Sequence, residues 1–192
     1  MPSAFNIDVL AREMKTAQDL VQQIEPFTNR VQDFDLSAAY QVAFRIHHAR
    51  ILEGANPVGR KIGFTNPELW SIYGVREPIW SYVYDTTVTQ IKGLHAKCPI
   101  KGFSEPKIEP EIVFHLCSDL SNNADPEEVV NAIDWLAHGF EIVQSHFPGW
   151  RFEAPDTVAD RALHGTLLLG PSMPLKELGS DPVNVLESIL VD

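Results

Sequence analysis

Glu109 and Glu111 flank Pro110 at the entrance to an apolar run, Ile112-Val113-Phe114. On a strand, side chains at i and i+2 share a face, so the two carboxylates project together. Like charges that close repel unless a proton or a cation lies between them. Pro110 has no N–H to donate, which suits a strand start or an edge. Glu141 breaks a second apolar run, Phe140-Glu141-Ile142-Val143, where a carboxylate needs a partner to offset its desolvation. Two readings stand side by side. In one, three hard oxygen donors, with no His or Cys among them, hold Mg2+ or Mn2+. In the other, Glu109 and Glu111 are exposed edge charges and Glu141 pairs with a buried Arg or Lys.

The elements that must position these residues follow from periodicity. Val9, Leu10, Met14, Ala17, Leu20, Val21 and Ile24 repeat at helical spacing over residues 6–25, and Pro26 is the expected stop. A second helix is expected from Asp35 or Ser37, with a stripe through Ala39, Val42, Ala43, Ile46, Ala49 and Leu52 and an end at Gly54. From Gly59 onward the segments become short, β-branched and aromatic. Residues 61–65, 80–88, 109–116, 140–145 and 166–170 read as strands. Residues 125–139 read as one helix, capped by Asp125, with Pro126 in its first turn and Gly139 just past its end. On that reading His138 suits the helix C-terminus. The fold class is α+β, with a helical N-terminal region over 1–58 and a mainly β body over 59–192.

Bulk properties narrow the function. The net charge of -11 argues against a nucleic-acid backbone as partner, because such binders need a basic face. Cys98 and Cys117 show neither a CxxC pair nor zinc-ligand spacing. The N-terminus lacks the apolar core of a signal peptide and no stretch is long enough to span a membrane, so a cytoplasmic protein is expected.

Five segments occur in one order: Gly59-Arg60-Lys61-Ile62-Gly63-Phe64-Thr65, Gly74-Val75-Arg76-Glu77-Pro78, Ile108 to Ile112, Phe140 to Ser145, and Asp156-Thr157-Val158-Ala159-Asp160. Together, over roughly residues 40 to 175, the chain resembles the 2-oxopent-4-enoate hydratase and 4-oxalocrotonate decarboxylase group of the fumarylacetoacetate hydrolase superfamily. The resemblance implies a mixed β-roll preceded by helices, and a Mg2+ or Mn2+ ion held by Glu109, Glu111 and Glu141. It implies site roles for Lys61, for Asp85 and for Asp156, with Ser81 standing where the family usually has Gly. The activity implied is hydration of a small unsaturated 2-oxo or 2-hydroxy acid, such as 2-hydroxypenta-2,4-dienoate, in the breakdown of aromatic compounds. Decarboxylation or C–C hydrolysis would use the same site. Relatives are commonly oligomeric, and hydratases and decarboxylases of the group associate. A homo-oligomer, or a complex with a related pathway enzyme, is therefore expected.

Three further residues are candidates for substrate contact. Ser145 shares a strand face with Val143 and Glu141. His164 follows the Asp156–Asp160 motif and is weighed as a proton donor against a structural role. Arg161 stands where the family often has Asn; it is read either as a bidentate carboxylate binder or as a salt bridge to Asp160. His47 and His48, adjacent on a helix, face different directions, so at most one reaches a site. Relatives continue well past Asp192 with Gly-rich strands, so the expected roll lacks those C-terminal strands, and a catalytically silent paralogue or partner subunit is the competing reading.

Overall fold

A computed structural model describes residues 5–93, 95–179 and 181–187. In chain order the elements are α1 (Ile7–Leu20), α2 (Phe27–Arg30), α3 (Leu36–Leu52), β1 (Pro57–Gly63), α4 (Trp70–Tyr73), β2 (Ile79–Tyr84), β3 (Val88–Gln90), β4 (Lys107–Leu116), α5 (Pro126–Asn131), β5 (Ile133–Val143), α6 (Ala154–Ala159), β6 (His164–Pro174) and α7 (Pro182–Glu187). Helices and sheets are mixed, as the sequence implies. The chain divides into two compact units. The first comprises residues up to Val88, Pro99–Lys107 and Ile142–Thr166; the second comprises Thr89–Cys98, Ile108–Glu141 and the chain from Leu167.

The first unit is built on α1, α3 and α6. Asn6 caps α1 by accepting the N–H groups of Asp8 and Val9, and Asp35 caps α3 by accepting that of Ala38 at 2.8 Å. The first helix stops at Leu20, well before Pro26, because Val21 adopts a left-handed conformation (φ 51°) and turns the chain. Residues 22–26 form no helix, and the short α2 follows Pro26. Leu10, Met14, Phe27, Val42, Ile46, Phe147 and Val158 form one buried core, while Leu20, Val21 and Leu52, assigned to the apolar stripes by spacing, are exposed. Strands β1 and β2 pair antiparallel and set Lys61 opposite Ser81.

The second unit holds a four-stranded sheet in the order β3-β6-β5-β4. Here the helix expected over residues 125–139 is corrected. Its N-cap acts as anticipated, since Asp125 accepts the Glu128 N–H at 2.8 Å, but α5 ends at Asn131 and β5 begins at Ile133. Local propensity favours helix here. The sheet wins because β5 lies between β6 and β4 and buries Ile133 and Leu136 with Leu175 in a second core. Gly139 is not a helix terminator. It sits within β5, where a Cβ would stand 3.0 Å from Leu167 Cδ1 and 3.1 Å from Val113 Cγ2. His138 is therefore an exposed strand residue, and the helix-dipole rationale for it falls away. Residues 181–192 also read as a helix in the sequence; Pro182–Glu187 are helical, and the residues after them lie outside the described residues.

Candidate metal centre

Alternation along β4 puts Glu109 and Glu111 on one face, and neighbouring β5 supplies Glu141. Each offers a carboxylate oxygen, and these oxygens all lie within 4.8 Å of one another. Exposure falls along the set, from exposed Glu109 through half-buried Glu111 to Glu141, which is only 2% exposed. At such a spacing two unit charges repel by about 3.5 kcal/mol at an effective dielectric of 20. The donor set is three anionic oxygens with no nitrogen or sulfur, which fits a small hard divalent cation. The three glutamates picked out by spacing thus do form one cluster.

The other candidates belong to the first unit. Lys61 is half-buried on β1. Asp85 is exposed on the turn after β2 and is gripped by Asn56, whose backbone N–H and side-chain amide donate to it at 3.0 and 2.8 Å. Those two bonds hold the Asp85 carboxyl below its ordinary pKa, side-chain bond first. Thr87 on the same turn is within 2.8 Å of buried His164 Nε2, and its carbonyl accepts from Thr166 at 2.9 Å. Asp85 and His164 are thus tied to one turn, an arrangement invisible in the sequence.

Asp156 is fully buried and structurally engaged. It accepts the Thr28 N–H at 3.1 Å, the Thr28 hydroxyl at 2.6 Å and the Glu153 N–H at 3.0 Å. Ser145 is also buried; its hydroxyl donates to the Phe147 carbonyl at 2.8 Å and accepts the Phe147 N–H at 3.1 Å. It follows the end of β5 rather than continuing the strand face. A pair that spacing did not reveal lies nearby: His146 Nδ1 and Asp160 Oδ2 are 2.8 Å apart, both buried, with Gln18 donating to Asp160 at 3.2 Å. The motif's second aspartate was the available signal.

Arg161 opens a turn in which three consecutive residues without glycine take positive φ: 53° at Arg161, 50° at Ala162 and 63° at Leu163. Such left-handed conformations cost about 1–2 kcal/mol each. Arg161 Nη2 donates to the His164 carbonyl at 3.1 Å, and Nε is buried with no hydrogen-bond partner. The alternative salt bridge to Asp160 is not formed: Asp160 acts on the guanidinium only through space. Burial, followed by the charge of Arg50, lowers the Arg161 pKa.

Arg161 lines a cleft of about 590 Å3 between α3 and β2, with Tyr40, Phe44, Trp80, Tyr82 and Tyr84 among its walls. His47, buried on α3, stacks on Tyr82 with ring centroids 3.8 Å apart and meets the Tyr84 hydroxyl at 2.9 Å, while His48 is exposed. No helix among the described residues is long and apolar enough to cross a membrane.

No family model matches the chain. It is 31% identical over 168 residues to 2-hydroxypent-2,4-dienoate hydratase of Pseudomonas putida, covering 85% of this chain and 73% of that protein. It is 32% identical over 172 residues to 2-keto-4-pentenoate hydratase of Paraburkholderia xenovorans (strain LB400), covering 89% of this chain and 62% of that one. The chain therefore spans about two thirds of the length of these relatives. Among solved structures, 4-oxalocrotonate decarboxylase from Pseudomonas putida G7, complexed with magnesium and adipate, superposes with a TM-score of 0.84 at 24% identity, over 91% of this chain and 67% of that one. That likeness establishes the fold. With the hydratase identities beside it, the chain belongs to the family of 2-keto-4-pentenoate hydratases and 4-oxalocrotonate decarboxylases.

Proposed function

We propose that this chain is a divalent-metal-dependent hydro-lyase acting on a small unsaturated 2-oxo or 2-hydroxy acid, such as 2-hydroxypenta-2,4-dienoate. The observation that carries the reading is the convergence of Glu109, Glu111 and Glu141 within 4.8 Å, in a chain 31% identical to a named hydratase of that compound class. The magnesium in the solved decarboxylase supports Mg2+ as the ion, with Mn2+ the alternative by donor chemistry. A cation in this position would draw electron density from the keto and carboxylate oxygens of a 2-oxo acid.

The reaction then needs three things of the chain: the acid must be held, a proton moved and water admitted. The 2-hydroxy group of the dienoate loses a proton and C5 gains one, giving a conjugated 2-oxo acid. Water next adds its oxygen at C4 and a proton at C3. Lys61, which the resemblance implies lies in the active site, is proposed either to orient the substrate carboxylate or to shuttle protons. Asp85, held ionised by Asn56, is the proposed proton acceptor. His164, beside Thr87 on the same turn, is the proposed proton donor. Asp156 and Ser145 are proposed as positioning residues, since their oxygens are committed to Thr28, Glu153 and Phe147. The sheet is read as part of the β-roll expected for the family, and a cytoplasmic, oligomeric protein remains the expectation.

The test follows loss of the dienoate chromophore with Mg2+ and with EDTA, alongside assays for pyruvate and CO2. Mg2+-dependent formation of 4-hydroxy-2-oxopentanoate is the expected result. CO2 release from 4-oxalocrotonate without hydration would replace the reading with decarboxylation. No turnover of either acid by metal-loaded protein would sink the enzyme reading.

A further inference from the structure

The cleft between α3 and β2 has features that none of the glutamates shares. Its volume of about 590 Å3 lies within the range of small-molecule sites. Its walls are aromatic, with the Tyr40 and Trp80 rings 5.6 Å apart and tilted by 30°, and Phe44 and Trp80 are substantially exposed at its opening. Such faces favour a flat apolar body by offset or edge contacts.

Arg161 supplies the complementary charge. It lines the cleft, yet no carboxylate among the described residues lies within ion-pair distance of it. Asp160, the first carboxylate to act on it, has its oxygens bonded to His146 and Gln18. Arg161 donates from Nη2 to a neutral carbonyl, and its Nε has no acceptor. A buried donor left without an acceptor is costly, and a carboxylate matches the guanidinium fork. The left-handed turn from Arg161 to Leu163 keeps the residue in this place against its backbone preference.

We infer that this cleft binds a small flat carboxylate, an aromatic or conjugated acid. Its carboxylate takes the Arg161 guanidinium, and its apolar body lies against Tyr40 and Trp80. No lining residue is one of the three glutamates, so the inference needs no metal, although Arg161 is also a candidate substrate contact of the hydratase reading.

Benzoate titrated into the full chain, read by tryptophan fluorescence, tests it. A saturable change is expected that Trp80→Phe removes. Benzamide, the uncharged analogue, should bind about tenfold more weakly or worse, a comparison that needs no variant to fold. Arg161→Lys should weaken benzoate by a similar factor with the far-ultraviolet circular dichroism unchanged, and Glu111→Gln should leave the affinity as it was. Equal affinity for benzoate and benzamide, an absence of saturation, or loss of binding in Glu111→Gln would each overturn the inference. So would a dimer, seen by sedimentation velocity, that Phe44→Glu dissociates and benzoate leaves untouched, because the cleft would then be a contact between copies.

Discussion

Thr28 holds Asp156 twice, through its backbone N–H at 3.1 Å and its hydroxyl at 2.6 Å, and so fastens the short α2 to the start of α6. A third bond comes from the Glu153 N–H and closes a capping box. Asp156→Ala leaves these part-buried donors without their acceptor and is expected to cost about 2 kcal/mol of stability. Urea denaturation followed by circular dichroism measures it. An unchanged midpoint together with lost turnover would return Asp156 to a direct role in the chemistry.

Metal loading should be visible without any substrate. Mg2+ at a hundred times its dissociation constant adds about 2.7 kcal/mol, a rise in Tm of roughly 5–10 °C for a chain of this size. Glu111→Gln should abolish that rise, because it removes one of three oxygens that meet within 4.8 Å. A full rise in the variant would place the ion elsewhere.

At Gly165 a Cβ would stand 2.5 Å from the Ile142 carbonyl oxygen and 3.1 Å from the Phe103 ring. The carbonyl is backbone and cannot rotate aside. Gly165→Ala is expected to destabilise by about 2–3 kcal/mol, while Gly102→Ala, with nothing within 4 Å of the new Cβ, should be close to neutral. Thermal denaturation of the two variants gives the comparison.

Burial, and then the charge of His48, hold the His47 imidazole below its ordinary pKa of 6.5. The unfolded chain therefore takes up this proton at a higher pH than the folded one. The stabilising effect of keeping His47 neutral is present above pH 6.5 and is lost as pH falls from there toward the folded pKa. An NMR titration should give a midpoint below 6.5 for His47. His47→Gln should flatten the fall in stability between about pH 7 and 5.

The glutamate cluster could be read in the sequence because a strand has a fixed period of two, and because a charge inside Phe140–Val143 demands an explanation. The caps Asp35 and Asp125 were legible for the same local reason. What lay beyond reach depends on partners distant in sequence. Residues 133–139 carry helical propensity and a well-placed glycine, and only the strands on either side of β5 decide against a helix. The grip of Asn56 on Asp85, of Thr28 on Asp156 and of His146 on Asp160 joins residues with no common spacing. The turn at Arg161–Leu163 was hidden for another reason: none of its residues is a glycine, the usual mark of a left-handed backbone.

The strand order β3-β6-β5-β4 also sets a timetable for folding. Strands β4 and β5, which carry all three glutamates, are neighbours joined through α5, so their pairing closes a modest loop. Closing β3 onto β6 is a longer search: Gln90 meets the Gly170 carbonyl 80 residues away. Loop entropy makes the nearer pairing the cheaper first step. On that order the ligand set is expected to be complete on the β4–β5 pair before the sheet is closed, and an ion captured there would then speed folding as well as stabilise the finished protein. Refolding with and without Mg2+ would then differ in rate, and not only in final stability.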